Sequence, residues 1–142
     1  MPGSELLSTL ALGRVLLIAS ESMHPVNLAL RFALEVIALG AIGWWGSTLT
    51  DTGWRWLAAV GIVVVVAAVW GTFAVPGDPS RGGQGVVHVS GIVRLAIELF
   101  VFAAGAYALR SVGRPGLAIG FGVLVIAHYA WSHERIAWLL KQ

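Results

Sequence analysis

Long apolar runs alternate with short polar breaks along most of the chain, and the placement of the breaks predicts four helices. The first run covers about 25–46. It opens with Pro25 and Asn27, which favour a helix start, and closes at Trp44, Trp45 and Gly46, an aromatic pair followed by a breaker. A polar link over 47–53 leads to a second run over about 54–73. The residues at 76–81, Pro-Gly-Asp-Pro-Ser-Arg, break any regular structure and begin the longest loop, 76–90. A third run over about 91–109 and a fourth over about 116–131 are separated by a tight turn that contains Arg110, Gly113, Arg114 and Pro115. About 20 residues at 1.5 Å rise cover a hydrocarbon core of about 30 Å, so each run is close to the length that spans a bilayer.

The second run tests this reading, because residues 63–69 are rich in valine. In water such a segment suggests a buried strand. In lipid an unpaired strand edge leaves backbone groups unsatisfied, and helix is the only choice for a lone segment. Two terminal segments fall outside the four runs. Residues 1–22 hold a short apolar stretch flanked by Glu5, Arg14 and Glu21 and are expected to form a surface amphipathic helix, with Met23 as an alternative start. The tail after Trp131 is expected to continue as an amphipathic helix at the interface.

Composition decides the solvent. Of 142 residues, 58% are hydrophobic and 11% charged, whereas a soluble domain carries about 25% charged residues. A chain of this length cannot build a water-facing surface from so few charges, so lipid must cover most of it. There is no cysteine, which removes disulfides and thiolate metal sites, and a formal net charge of +2 argues against a nucleic-acid partner. With four spans, Arg14, Arg81, Arg135 and Lys141 share one side and Arg55, Arg110 and Arg114 the other. The positive-inside rule then predicts cytoplasmic termini in the inner membrane.

Runs one and three repeat a pattern: Arg31-Phe32-Ala33-Leu34-Glu35 resembles Arg94-Leu95-Ala96-Ile97-Glu98. Two tandem hairpins related by an axis along the membrane normal would give this arrangement. A charge at mid-membrane costs roughly 2.5–3.5 kcal/mol, and four unpaired charges on the order of 10 kcal/mol. Arg31, Glu35, Arg94 and Glu98 must therefore be paired, neutralised or near the interface. Parallel first and third helices set the two Arg–Glu turns at one level. The ends of runs two and four bring Trp70, Thr72, His128, Tyr129 and Ser132 to about the same level. Because Arg before Glu is the less favourable order within a helix, the pairs are expected between helices.

Each of these residues also has a plain reading. The arginines and glutamates would serve as a packing latch, or as a pocket with two carboxylates for binding or proton transfer. His128 would be a proton carrier, or a histidine hydrogen-bonded between helices. His128 and His133 are five residues apart on different helix faces, so no metal site is expected. Trp44, Trp45, Trp54, Trp56 and Trp131 read as an interfacial belt, with Trp70 alone beside the polar centre. Gly40, Gly43, Gly46 and the pair Gly116 and Gly120 read as helix-packing positions. The glycines at 77–83 lack the strand, the Lys-Ser/Thr ending and the helix of a phosphate loop and read as a turn.

The strings Asn27-Leu28-Ala29-Leu30-Arg31-Phe32, Trp70-Gly71-Thr72-Phe73-Ala74-Val75-Pro76-Gly77-Asp78-Pro79 and Arg94-x-x-x-Glu98 resemble the YrdB-like family of small bacterial membrane proteins, classed as a domain of unknown function. The resemblance covers about residue 23 to the C-terminus. It implies four transmembrane helices and a bacterial cell membrane, and it carries no established activity or catalytic residue.

The sequence thus predicts an all-α integral membrane four-helix bundle of two tandem hairpins, with its polar centre in the cytoplasmic half. The centre is formed by Arg31, Glu35, Arg94 and Glu98, with Trp70 and His128 nearby. The leading functional expectation is non-enzymatic: binding or translocation of a small molecule or proton, with no cofactor. The alternatives are a membrane-embedded acid–base enzyme acting on a lipid-soluble substrate, and a structural or partner-binding subunit. Small bundles of this kind pair readily, so a homo-oligomer is compatible with the sequence and not required by it.

Overall fold

The computed structural model describes residues 25–78 and 85–142. The helix expected over 1–22, the alternative start at Met23 and loop residues Pro79, Ser80 and Arg81 lie outside the described residues. Five helices are found among those described: α1 (Pro25–Gly46), α2 (Arg55–Thr72), α3 (Gly91–Ser111), α4 (Pro115–Trp131) and α5 (His133–Leu139). The valine-rich centre of α2 is helical, as the lipid argument requires. Between α2 and α3 lie two short strands, β1 (Phe73–Ala74) and β2 (Val87–His88), paired in parallel with Phe73 opposite Val87.

Local chemistry accounts for the ends. The Ser90 hydroxyl caps α3 by accepting from the Val93 amide. Gly113, at φ +79°, supplies the left-handed residue of the turn after α3. Pro115 then opens α4, where its missing N–H is harmless.

Helices α1, α2 and α3 are each long and apolar enough to cross a membrane. Helices α4 and α5 pass that test only as a pair bent by 73°, so the described residues provide three spans, or four if the bent pair is one span. The all-α class stands. The plain bundle of two hairpins does not, because α5 folds back across one end instead of extending α4.

Helices α1 and α3 run parallel and pack on one another along the middle of the molecule. Helix α2 lies against α1, and α4 against α3. Close approach of the central pair needs Gly105: a Cβ there would sit 3.0 Å from both Cα and Cβ of Ala38. The core between the helices comprises Leu34, Ala38, Ala41, Ile42, Trp70, Val101, Phe102, Ala108, Leu109, Phe121 and Val125. Outward faces are as apolar as the core; α2 exposes Trp56, Leu57, Val60, Val64, Val65 and Val69. In lipid such a face costs nothing, and contacts between helices rest on packing rather than on exclusion of water.

The glycines divide. A Cβ at Gly43 or Gly46 would press on α2, at Val63 or at Ala59 and Ile62, so these two serve the α1–α2 contact. Among the described residues Gly40, Gly116 and Gly120 have nothing within 4 Å of a Cβ position, so none of the three is needed there for close helix packing.

One end of the helix array is covered. After β1, Val75 and Asp78 turn inward and are buried, with Gly77 at φ +77° making the turn. From the other direction α5 brings Leu139, fully buried, onto Gly91 so closely that a Cβ on Gly91 would overlap the Leu139 backbone. The Gly91 amide donates to the Gln142 carbonyl at 3.3 Å, which fastens the C-terminus to the start of α3.

A buried arginine–carboxylate network

Under this cover the charges expected from the sequence meet. Helix α3 carries Arg94 and Glu98 one turn apart, 0% and 1% exposed. Helix α1 presents Arg31 at the same level, as parallel packing demands. Arg31 donates from Nε to Glu35 Oε1 at 3.0 Å and from Nη2 to Glu98 Oε1 at 2.5 Å. Arg94 donates from Nε to Glu98 Oε1 at 3.1 Å.

The expectation that these pairs form between helices rather than within one is corrected. Both intrahelical pairs form, and Arg31 makes the interhelical one as well. The guanidinium explains this, since its Nε can hold a carboxylate on its own helix while an Nη reaches across.

The two repeats are not equivalent in space. Glu98 is enclosed, whereas the Glu35 side chain is 20% exposed and holds Arg31 alone among the hydrogen bonds found. Arg94 adds a role that Arg31 lacks. Its Nη1 donates to the carbonyls of Trp70 at 2.8 Å and Phe73 at 2.6 Å, satisfying backbone acceptors at the end of α2. Its guanidinium also lies 5.4 Å from the Trp70 ring centroid. Trp70 therefore does stand beside the polar centre, edge-on to Phe102 at 5.7 Å.

Two charges central to the network were not singled out from the sequence. Arg135 of α5 donates to Glu98 from Nη1 at 3.1 Å and from Nη2 at 2.9 Å. It also donates to Asp78 from Nε at 3.3 Å and from Nη2 at 2.8 Å. In the sequence one falls in the tail expected at the interface and the other in the Pro-Gly-Asp-Pro break. A signal was present: His128, Ser132, Arg135 and Leu139 recur at spacings of four, three and four, one helical face, and all four are buried. The 73° bend at Ser132 hid the use of that face.

Tyr129 completes the set by donating its hydroxyl to Glu98 Oε2 at 3.1 Å. Nearby, Asn27 and Ser132 bond each other twice, Nδ2 to Oγ at 2.8 Å and Oγ to Oδ1 at 3.1 Å, tying the start of α1 to the end of α4. His128 is 3% exposed, lies edge-on to Tyr129 at 5.7 Å, and its Nδ1 has no hydrogen-bond partner among the described residues. Thr72 stays outside the network and donates to Ala68 O on its own helix.

The described network pairs Arg31, Arg94 and Arg135 with Glu35, Asp78 and Glu98, three cations with three carboxylates. In a medium that solvates ions poorly, equal numbers in direct contact are what make such a cluster tolerable. The arrangement is consistent with a polar centre inside the membrane.

Comparison with known proteins agrees with these features. The profile of a family described as protein of unknown function (DUF2568) matches residues 29–126, a range that holds Arg31, Glu35, Trp70, Asp78, Arg94 and Glu98 and ends before His128, Tyr129 and Arg135. The uncharacterized protein YrdB of Bacillus subtilis (strain 168) is 41% identical over 122 residues, covering 86% of this chain and 99% of that protein. No solved structure matches. With its apolar helices, its buried Arg/Glu/Asp network and these two matches, the chain belongs to the DUF2568, YrdB-like family of small bacterial membrane proteins.

Proposed function

We propose that this protein binds a small polar solute at the buried network and passes it, or a proton, across the bilayer without covalent chemistry. The observation that supports this reading is the convergence on Glu98. Five hydrogen bonds from four side chains, on α1, α3, α4 and α5, reach one carboxylate among apolar helices. Holding helices together does not call for such a cluster. Apolar replacement of buried ion pairs is commonly neutral, or stabilising by about 1–4 kcal/mol. Ionisable groups within membrane helices, by contrast, tend to mark ligand and proton pathways. In this reading the site comprises Arg31, Glu35, Arg94, Glu98, Trp70 and His128, joined by Asp78 and Arg135. The described arrangement is its closed state.

Acid–base catalysis fits less well, because both Glu98 oxygens already accept from several donors. One observation favours a structural subunit instead: Arg31, Arg94, Tyr129 and Arg135 together occupy both Glu98 oxygens.

The proposal carries a topology. The bent α4–α5 pair counts as a fourth, broken span, the termini are cytoplasmic, and the network lies in the cytoplasmic half of the inner membrane. Topology is decided at insertion, before tertiary pairs form, so Arg135 still counts as a flanking cation despite its later burial.

The test compares wild type with Glu98→Gln and Glu35→Gln in liposomes carrying an internal pH dye, together with native mass spectrometry of the purified protein. Proton flux or a copurified small molecule that is lost in variants of unchanged fold supports the proposal. A wild type with neither flux nor copurified molecule, and a Glu98→Gln variant altered only in melting temperature, would assign the network to structure.

A further inference from the structure

We propose that Glu35 is the carboxylate at which the network takes up and releases a proton, while Glu98 stays a fixed acceptor. This rests on the proton-passing reading given above and names the group that carries the proton.

The two glutamates of the repeat differ in how their oxygens are used. Glu98 Oε1 accepts from Arg31, Arg94 and Arg135, and its Oε2 accepts from Tyr129 and Arg135. A proton on either oxygen would add a hydrogen to a shell already made of donors, and a donor would have to leave. Glu35 accepts one bond, from Arg31 Nε to Oε1, and no donor to its Oε2 is found among the described residues. A proton on that oxygen displaces nothing. Nor does it strand the arginine, because Arg31 holds Glu98 through a different nitrogen, Nη2. Glu35 can therefore change charge with Arg31 still paired and with every bond to Glu98 in place.

Position points the same way. Glu35 is the eleventh of the 22 residues of α1, midway along a helix long enough to span. Its side chain is 20% exposed, against 1% for Glu98. Phe32 and Val36 beside it on α1 are exposed and apolar, so lipid borders this part of the helix. A partly covered carboxyl there has two tolerable states, an anion held by Arg31 and a neutral acid. A proton carrier needs both.

The ionisable groups gathered at this end of the helices are Arg31 on α1, Arg94 and Glu98 on α3, His128 and Tyr129 on α4, Arg135 on α5 and Asp78 after β1. Helix α2 brings none, since its one ionisable residue, Arg55, opens it at the far end. Of the carboxylates paired in the described network, Glu35 is the one with an exposed edge; Asp78 and Glu98 are enclosed.

The experiment treats the full chain in nanodiscs with dicyclohexylcarbodiimide, an apolar reagent that adds to carboxyl groups in their protonated form, and maps the adduct by mass spectrometry. The adduct should fall on Glu35 and not on Glu98 or Asp78, and its yield should drop as pH rises. Acid-minus-alkaline infrared difference spectra of the same sample should contain a carboxylic C=O band that is lost in Glu35→Gln. The labelling needs no variant and stands if Glu35→Gln does not fold. No adduct on Glu35, a yield there that is indifferent to pH, or a band that survives whole in Glu35→Gln overturns the proposal. Proton flux in wild type without an adduct at Glu35 removes this assignment and keeps transport. A pH-dependent adduct at Glu35 without flux keeps the assignment and removes proton transport.

Discussion

Arg135 and Glu98, 37 positions apart in the chain, share two hydrogen bonds, Nη1 to Oε2 at 3.1 Å and Nη2 to Oε1 at 2.9 Å. This contact makes the bend after α4 part of the membrane-embedded network. A short C-terminal helix is thereby fastened to a carboxylate of α3 by charge. Because Asp78 takes the other edge of the same guanidinium, the loop after α2 is held too. Three segments distant in sequence close one end of the molecule on one arginine.

Charge balance predicts the response to Glu98→Gln. Among the described residues the substitution leaves three arginines with two carboxylates, Glu35 and Asp78, and puts an amide donor among guanidinium donors. Breaking a buried pair from one side costs about 3–5 kcal/mol, and thermal unfolding in detergent should show a loss of that order. Adding Arg31→Met should recover part of it, because two cations then face two carboxylates. The partner that Arg31 abandons, Glu35, is partly exposed and tolerates the loss better. A double variant no more stable than Glu98→Gln would mean that net charge is not what governs the network.

Arg94→Lys separates charge from shape. One lysine nitrogen cannot serve Glu98 and also the carbonyls of Trp70 and Phe73, which Arg94 reaches through different nitrogens. The end of α2 should fray while the fold persists, at a cost of about 1–3 kcal/mol for the carbonyls left unsatisfied. Hydrogen exchange should rise in the residues around Trp70–Ala74 and stay unchanged at the centre of α1. Uniform change along the chain would contradict a local capping role.

The sequence carried the spans because lipid allows few choices: a run of apolar residues near 20 long, with valine or without, has to be helical. It carried the meeting of Arg31 with Glu98 because parallel first and third helices bring their Arg-x-x-x-Glu turns to the same part of the molecule. It did not show which glutamate would be enclosed, since that depends on neighbours. Tyr129 and Arg135 come to Glu98, and nothing comparable comes to Glu35. Asp78 and Arg135 were hidden for a simpler reason. A Pro-Gly-Asp-Pro break and a polar tail look like surface, and it takes the turn at Gly77 and the 73° bend at Ser132 to bring the two residues inward. The glycines show the same limit. Spacing marks Gly116 and Gly120 as fit for close packing, but which face a helix turns to its neighbour is decided by the whole bundle.

Those glycines give a paired prediction. Gly116→Ala and Gly120→Ala should change stability by no more than about 0.5 kcal/mol, as substitutions away from contacts generally do. Gly46→Ala and Gly105→Ala should each cost about 1–3 kcal/mol by overpacking, since the added methyl meets backbone atoms of α2 or of α1. Four single variants compared by thermal unfolding suffice. Marked destabilisation at Gly120 would instead reveal a partner for the exposed face of α4.

Gly91 governs the cover itself. Its missing side chain lets the Leu139 backbone lie directly against the start of α3, and a methyl there would overlap a carbonyl that cannot rotate away. Gly91→Ala should therefore displace α5 and draw Arg135 from Asp78 and Glu98, while leaving α1, α2 and α3 assembled. The chain has no cysteine of its own, so a Leu139→Cys probe reports without interference. Overpacking of about 1–3 kcal/mol converts to roughly fivefold or more in the open population, so maleimide should label the probe at least that much faster in the Gly91→Ala background than without it. Equal labelling in the two backgrounds would show that α5 is not seated on Gly91. Faster labelling together with a collapsed melting temperature would show that the cover cannot move independently of the helices beneath it.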